Sequence, residues 1–286
     1  VLMGRLLDGV GRRLTRPGCG GKVGVSIRRK PFMAKKPAPK TRIGRSDATT
    51  VTIRGKSLMD DLIGKLSFTE MMYFLIKHRP PMPAETRVLD ACLVTLMEHG
   101  FTPSSLVARM VHDSVPDQIQ VAMAAGLLTI GGVFVGTMEG CARILSAGIE
   151  AGGDLDAYCE TVVREHRAAK KAMPGFGHPF HKPDDPRPVR LFEVADEVGM
   201  RGPYVDLLHR LSGHVDREFG RHLTINATGA IGALMLEIGI PAEIMRAIAV
   251  VSRCGGLPGH ILEEMEMPTA RTLWALAEEH VPYEEG

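Results

Sequence analysis

An all-α fold follows from three features of the 286-residue sequence. Apolar residues recur at three- and four-residue intervals along most of the chain, the spacing that gives a helix one buried face. No segment sustains the strict apolar–polar alternation of a half-buried strand. The hydrophobic fraction is 44% with only 5% aromatic residues, so Leu, Ile, Val, Ala and Met fill the interior, as in helical cores. A chain of this length buries a large core in one or two domains.

Residues 1–45 carry 13 Lys or Arg and one acid, Asp8, while the remainder carries 22 basic and 32 acidic residues. A basic extension punctuated by Pro and Gly is expected to be disordered. A nucleic-acid or membrane contact, a targeting peptide and a misplaced translation start compete to explain it. It lacks the apolar core of a secretory signal. Met33, followed by AKKPAPKTRIG, reads as a natural start, so no chemistry is expected of the extension.

Segment 49–55, TTVTIRG, is the one expected strand, half of a small hairpin. A helix is expected over 57–78 from the spacing of Leu58, Leu62, Ile63, Leu66, Met71, Met72, Phe74 and Leu75, with Ser67 as a cap. Helices follow over 83–99, 103–114 and 117–131, the last begun by Pro116 and Asp117. Val121 to Gly136 is the longest apolar run. With 16 residues and four glycines it falls short of a membrane span and reads as a buried core helix. Further helices are expected over 137–152, 154–172, 187–199, 203–219, 226–237, 241–254 and 268–280.

Between them lies 174–187, PGFGHPFHKPDDPR. Its prolines and glycines forbid a regular helix or strand. A loop of fixed shape presenting His178 and Arg187 suits binding or chemistry, although a charged surface turn explains the same residues. His178, His181 and Asp184 or Asp185 suggest a metal set, but three ligands on so proline-laden a loop are not expected. The Gly-x-Gly pattern near 131–136 follows no strand, so no dinucleotide fold is expected. Cys19, Cys92, Cys141, Cys159 and Cys254 form no CxxC pair, which argues against disulfides and for a reducing cytoplasm. Cys92, Cys141 and Cys254 read as buried thiols.

Gly175, Phe176, Gly177, His178, Lys182, Asp185, Pro186 and Arg187 stand in register with PGFGHxVYKxxDPR, so the loop resembles the signature of the citrate synthase superfamily. The run 239–264, GIPAEIMRAIAVVSRCGGLPGHILEE, is similar to that family's late helix. The run 96–109, LMEHGFTPSSLVAR, is similar to its earlier HxDHxxNxS helix. The resemblance covers residues 47–280, and the compact size points to the citryl-CoA lyase branch, related to the last module of ATP-citrate lyase.

That resemblance implies a citrate synthase-like fold of two helical domains with the active site between them. Residues 46–152 and 246–286 would form the large domain and 153–245 the small one, hinged at Gly152 and Gly153. A homodimer is implied. His178 would bond the substrate's carbonyl or hydroxyl oxygen, and Arg187 and Arg253 the carboxylates of oxaloacetate or citrate, through the paired donors of a guanidinium. His99 would also contact the dicarboxylate, as would Arg271 of the partner subunit. Lys182 with the backbone of Pro174, Gly175, Phe176 and Gly177 would hold coenzyme A, which is part of the substrate. No tightly bound cofactor, metal, nucleic acid or membrane partner is expected. His260, with Glu263 and Glu264, reads as structural.

Two departures bear on the reaction. Val135, in GVFVGTME, stands where synthases carry a histidine that stabilises the enol of acetyl-CoA. Thr228, in NATG, stands where they carry an aspartate base, with Asn226 retained. A threonine hydroxyl is far too weak an acid to stand in for a carboxylate base. The expectation is therefore cleavage of citryl-CoA to oxaloacetate and acetyl-CoA. His178 would handle the hydroxyl proton, and Thr228, Asn226, Glu139 or water would protonate the enolate. The alternatives are a citrate or 2-methylcitrate synthase and a non-catalytic homologue that binds CoA or citrate.

Overall fold

In a computed structural model of the chain, residues 39–133 and 135–286 are described; the basic extension over 1–38, with Met33 and Cys19, and Phe134 lie outside them. Three antiparallel strands come first: β1, Gly44–Ser46; β2, Val51–Ile53; and β3, Lys56–Ser57, in the order β1-β2-β3. Gly44 pairs with Ile53 and Thr52 with Ser57. Arg54 and Gly55, at φ 50° and 82°, make the two-residue turn between β2 and β3. Two positive φ values give a turn whose twist matches that of its strands. The expected strand is thus β2 and its turn.

The helix expected over 57–78 forms only in its second half. Ser57 caps a short π-type turn over Leu58–Leu62, and Gly64 then turns the chain at φ 74°. Ser67 starts α1, Phe68–Lys77, in a capping box with Glu70. Apolar spacing alone does not register a reversal that one glycine permits.

The rest is helical: α2, Pro83–Met97; α3, Pro103–Ser114; α4, Ile119–Leu128; α5, Gly136–Ala151; α6, Leu155–Ala168; α7, Pro186–Glu197; α8, Pro203–Phe219; α9, Ala227–Glu237; α10, Ala242–Glu266; and α11, Ala270–His280. The apolar run 121–136, expected to be one buried core helix, is not. Helix α4 starts only after Pro116 and Asp117 and ends at Leu128, α5 starts at Gly136, and Leu128 and Val133 are 86% and 83% exposed. Proline opens α2, α3, α7 and α8, where its missing N–H costs nothing. At the centre is α9, with Ala230, Ile231, Ala233, Leu234 and Met235 at most 1% exposed. Ile231, Leu234 and Met235 each contribute roughly 1.5–3 kcal/mol on burial. Gly232 lets α9 lie close against α5, since a Cβ there would sit 2.9 Å from Met138 O.

The late helix is longer than its periodicity indicates. Expected to end at 254, α10 runs on through Gly255, Gly256 and Pro258 to Glu266. The glycines are explained by packing. A Cβ on Gly256 would overlap the carbonyl of Met97, and one on Gly255 would crowd the Met97 Cε at 3.1 Å. They let α10 cross the end of α2, which brings Arg253 beside His99. Cys92, Cys141 and Cys159 are buried free thiols, while Cys254, expected to be buried, is partly exposed. Among the described residues, no helix is long and apolar enough to cross a membrane.

Candidate active site

The 174–187 loop is seated on the chain entering α9. Phe176 forms a bridge with Ile225. Gly177 N donates to Thr224 O at 2.8 Å, and Asn226 N to Gly175 O at 3.0 Å. Gly175 and Gly177 have φ of 87° and 77°. A Cβ on Gly175 would lie 2.7 Å from Cys141 Sγ and 2.9 Å from Gly229 Cα. Only glycine satisfies both the backbone angle and the space at Gly175.

This seating opens a cavity of about 380 Å³ whose lining includes His99, Phe176, Gly177, His178, Arg187, Asn226, Thr228 and Arg253. Pro174 and Gly175 support it from behind, Pro174 packing on Gly140. Lys182 is outside it, in an adjoining basic cavity with His181, Arg221 and His222 that shares Gly177 and His178. Arg271 is not brought there by its own chain: on α11, its side chain is 82% exposed and its Nε is 3.4 Å from Asp113 Oδ2.

His178 Nδ1 accepts the backbone N–H groups of Phe180 and His181, at 3.2 and 3.0 Å. Its neutral ring therefore carries the proton on Nε2. Partial burial, then Arg187 and His181, push its pKa below the ordinary value. His178 is thus a neutral donor, and the base role expected for it is not supported, because the nitrogen that would take a proton already holds one.

His99 is held differently. Arg253 Nη2 lies 3.0 Å from His99 Nδ1 and 3.4 Å from His99 Nε2, so the guanidinium rests against both ring nitrogens rather than in line with one. Its ring is open to the cavity, yet desolvation by the surrounding walls, then Arg253 and Arg187, hold its pKa down to about 4. Arg253 itself is 8% exposed, and its Nη1 is buried without a hydrogen-bond partner. A buried cationic donor left unpaired is costly unless a ligand completes it.

Arg187 lies in the first turn of α7 and is held by that helix's cap. Asp185 accepts its Nε at 2.9 Å and Nη2 at 2.7 Å, and also Ala227 N at 3.2 Å. Burial raises the Asp185 pKa, but the Arg187 hydrogen bonds outweigh it and keep the carboxyl below its usual range. One edge of the guanidinium is therefore fixed by Asp185 where Arg187 lines the cavity.

Three candidates for protonating an enolate are otherwise engaged. Glu139 is bound by Arg143 at 2.7 Å and Arg246 at 2.9 Å, and the Arg143 hydrogen bond leads in holding its pKa down. It is an ionised carboxylate with no proton to give. Asn226 Oδ1 caps α9 at Gly229 N, 3.1 Å away, while its Nδ2 donates to Gly177 O at 2.9 Å. Thr228 donates to Asn226 Oδ1 at 2.7 Å.

Sequence reasoning missed two supports. Thr137 lines the cavity beside Val135 and contacts Thr228 at 2.9 Å. Arg109, fully buried on α3, donates to His260 Nδ1 at 3.1 Å, to Glu264 at 3.0 Å and to Glu263. His260 in turn donates to Glu98 at 2.7 Å. These partners are far apart along the chain; the only available signal was an arginine on a helix face with acids in a later helix. Among the described residues, no group of three or more His, Cys, Asp or Glu side chains is placed to hold a metal ion.

Residues 48–273 match the family described as citrate synthase, C-terminal domain. The chain is similar to citryl-CoA lyase from Hydrogenobacter thermophilus, with a TM-score of 0.78 and 29% identity, covering 87% of this chain and 96% of that one. ATP citrate lyase from Methanothrix soehngenii, solved in complex with citrate and coenzyme A, shares the fold at a TM-score of 0.72 and 21% identity, over 89% of this chain and 43% of that one. Citrate synthase of Synechocystis sp. is 23% identical over 207 residues, 71% of this chain and 51% of the relative. The chain spans about half the length of the curated relatives it matches.

Proposed function

The chain belongs to the citrate synthase family, and from that premise we propose that it is a carbon–carbon lyase that cleaves citryl-CoA, or a related 3-hydroxyacyl-CoA, to oxaloacetate and acetyl-CoA. The observation that carries the direction is the hydrogen-bonded run Thr137, Thr228 and Asn226. It occupies the wall where a synthase would need a group able to take a methyl proton, and a bonded hydroxyl is no such base. Similarity to a citryl-CoA lyase over nearly that protein's whole length supports the same direction.

In this reading the dicarboxylate end binds Arg253 Nη1 and Arg187 by charged hydrogen bonds. The Nε2–H of His178 donates to a substrate oxygen, and the neutral His99 ring lines the dicarboxylate end beside Arg253. As the carbon–carbon bond breaks, its electron pair passes to the thioester as an enolate, and water returns a proton to the enolate carbon, giving acetyl-CoA. The hydroxyl oxygen gives up its proton to water and becomes the ketone. Any negative charge gathering on that oxygen meets the His178 donor, already oriented by two backbone N–H groups. The basic cavity with Lys182 and Arg221 would take the phosphates of coenzyme A.

The two-domain division, 46–152 with 246–286 against 153–245, belongs to this reading. So do a homodimer, with Arg271 of the partner subunit completing the site, and a cytoplasmic setting. Gly152 and Gly153, at φ 64° and 76°, are the hinge of that proposal. A second reading, condensation to citrate, is favoured by the names of the curated relatives.

The test is to incubate the purified protein with citryl-CoA and follow oxaloacetate, alongside exchange of acetyl-CoA methyl protons with deuterated water. Oxaloacetate release with little exchange is expected. Rapid exchange together with citrate synthesis would select the synthase. CoA binding with neither reaction would leave a binding homologue.

A further inference from the structure

Thr137 heads a hydrogen-bond run whose direction is fixed by chemistry. Asn226 cannot be turned over: its Nδ2 faces Gly177 O and its Oδ1 faces Gly229 N, and exchanging them would oppose like with like. Its Oδ1 only accepts, so Thr228 donates to it. Thr228 then has no proton left, and the contact at 2.9 Å is donated by Thr137. Both hydroxyl protons thus run away from the cavity that the two threonines line. What Thr137 offers a ligand is a lone pair.

The charged lining offers the opposite. Arg187 and Arg253 only donate, and His178 presents its Nε2–H. Carboxylate and carbonyl oxygens are well served by such a wall. A hydroxyl also needs an acceptor, and leaving its proton unpaired on binding would cost affinity. Thr95, Thr102, Ser104 and Thr129 line the cavity too, but lie on α2, at the start of α3 and beyond the end of α4. Thr137 is tied through Thr228, Asn226 and Gly177 O to the residue directly before His178.

We propose that Thr137 accepts the hydrogen bond of the ligand's tertiary hydroxyl while His178 donates to the same oxygen, so that Thr137 selects hydroxy acids over their deoxy counterparts. The inference rests on the reading above that the ligand is a citrate-like hydroxy acid beside coenzyme A. It adds to that reading the group that recognises the hydroxyl.

Citrate and tricarballylate differ only by that hydroxyl, and neither is cleaved. Their binding is measured by calorimetry with coenzyme A present, for the wild type, Thr137→Val and Thr137→Ser. The wild type should prefer citrate by about 5- to 10-fold, the scale of one hydrogen bond. Thr137→Val should bring citrate down to the level of tricarballylate and leave tricarballylate unchanged, while Thr137→Ser keeps the preference. Should Thr137→Val fail to fold, Thr137→Cys, a weak acceptor of similar size, carries the same comparison. Equal binding of both acids by the wild type, or a preference surviving in the variant, overturns the role of Thr137 and leaves the ligand class standing. If neither acid binds the wild type, the proposed function fails and this inference with it.

Discussion

Arg253 Nη2 lies 3.0 Å from His99 Nδ1 and 3.4 Å from His99 Nε2, so a guanidinium leans on an imidazole with no carboxylate between them. The contact is tolerable because His99 is neutral at ordinary pH, its pKa held near 4. Together they present a cation whose Nη1 has no hydrogen-bond partner beside a neutral ring.

That neutrality has a pH signature. The unfolded chain takes up the His99 proton below the ordinary value of 6.5, whereas the folded chain does so only at about 4. In this window the unfolded state binds more protons, so stability falls as pH drops from 6.5 toward 4. His178 and His209, also shifted down, act in the same direction. Denaturant titrations across the window should show a shallower dependence for His99→Asn; an unchanged slope would mean that His99 titrates normally.

Arg253→Lys retains the charge but loses both the His99 contact and the unpartnered Nη1. Calorimetry should show citrate binding weakened by about 1.5–3 kcal/mol, the scale of a charged hydrogen bond. Coenzyme A affinity should hardly change. Equal losses for both ligands would make Arg253 a structural residue.

Arg109 and Glu264 have side-chain exposures of 0% and 1%. Arg109→Met leaves that carboxylate buried without its cation, and chemical denaturation should register a loss of about 3–5 kcal/mol. A loss below about 1 kcal/mol would show that Thr269 and Ala270, which also bond Glu264, suffice to hold it.

Two glycine substitutions should differ in sign. A Cβ on Gly229 would sit 2.5 Å from Gly175 O, under the loop that carries His178. Gly229→Ala should cost about 1–3 kcal/mol and weaken citrate binding. Gly213→Ala, within α8 and with 3.6 Å to its nearest neighbour, should stabilise by about 0.5–1 kcal/mol. Thermal unfolding of the two variants makes the comparison.

The helical class and the loop of 174–187 were legible because they depend on local spacing and on backbone chemistry. His99, His178, Arg187 and Arg253 could be singled out by motif register, and all four line one cavity. What escaped depends on contacts between distant residues. The glycines of α10 look like a helix end until Met97 is packed against them. Glu139 looks like an available acid until Arg246, on another helix, reaches it. Thr137 is ordinary until Thr228 stands 2.9 Å away. The donor role of His178 depends on two backbone N–H groups folding back onto its ring, which no residue spacing encodes.

Glu98 and His99 are neighbours on extended backbone, Glu98 having φ −149° and ψ 138°. Successive side chains on such backbone point to opposite sides. One step in the chain therefore sorts electrical sign: the acid turns to His260 and the Arg109 network, and the neutral imidazole to Arg253. Glu98 is thereby kept out of the cavity lining, although it is adjacent in the chain to a lining residue and its charge still reaches His99 and Arg253. Inserting or deleting one residue here would reverse the arrangement, turning the acid toward the ligand and the imidazole away. The length of this short connection is as much a requirement for anion binding as the arginines themselves.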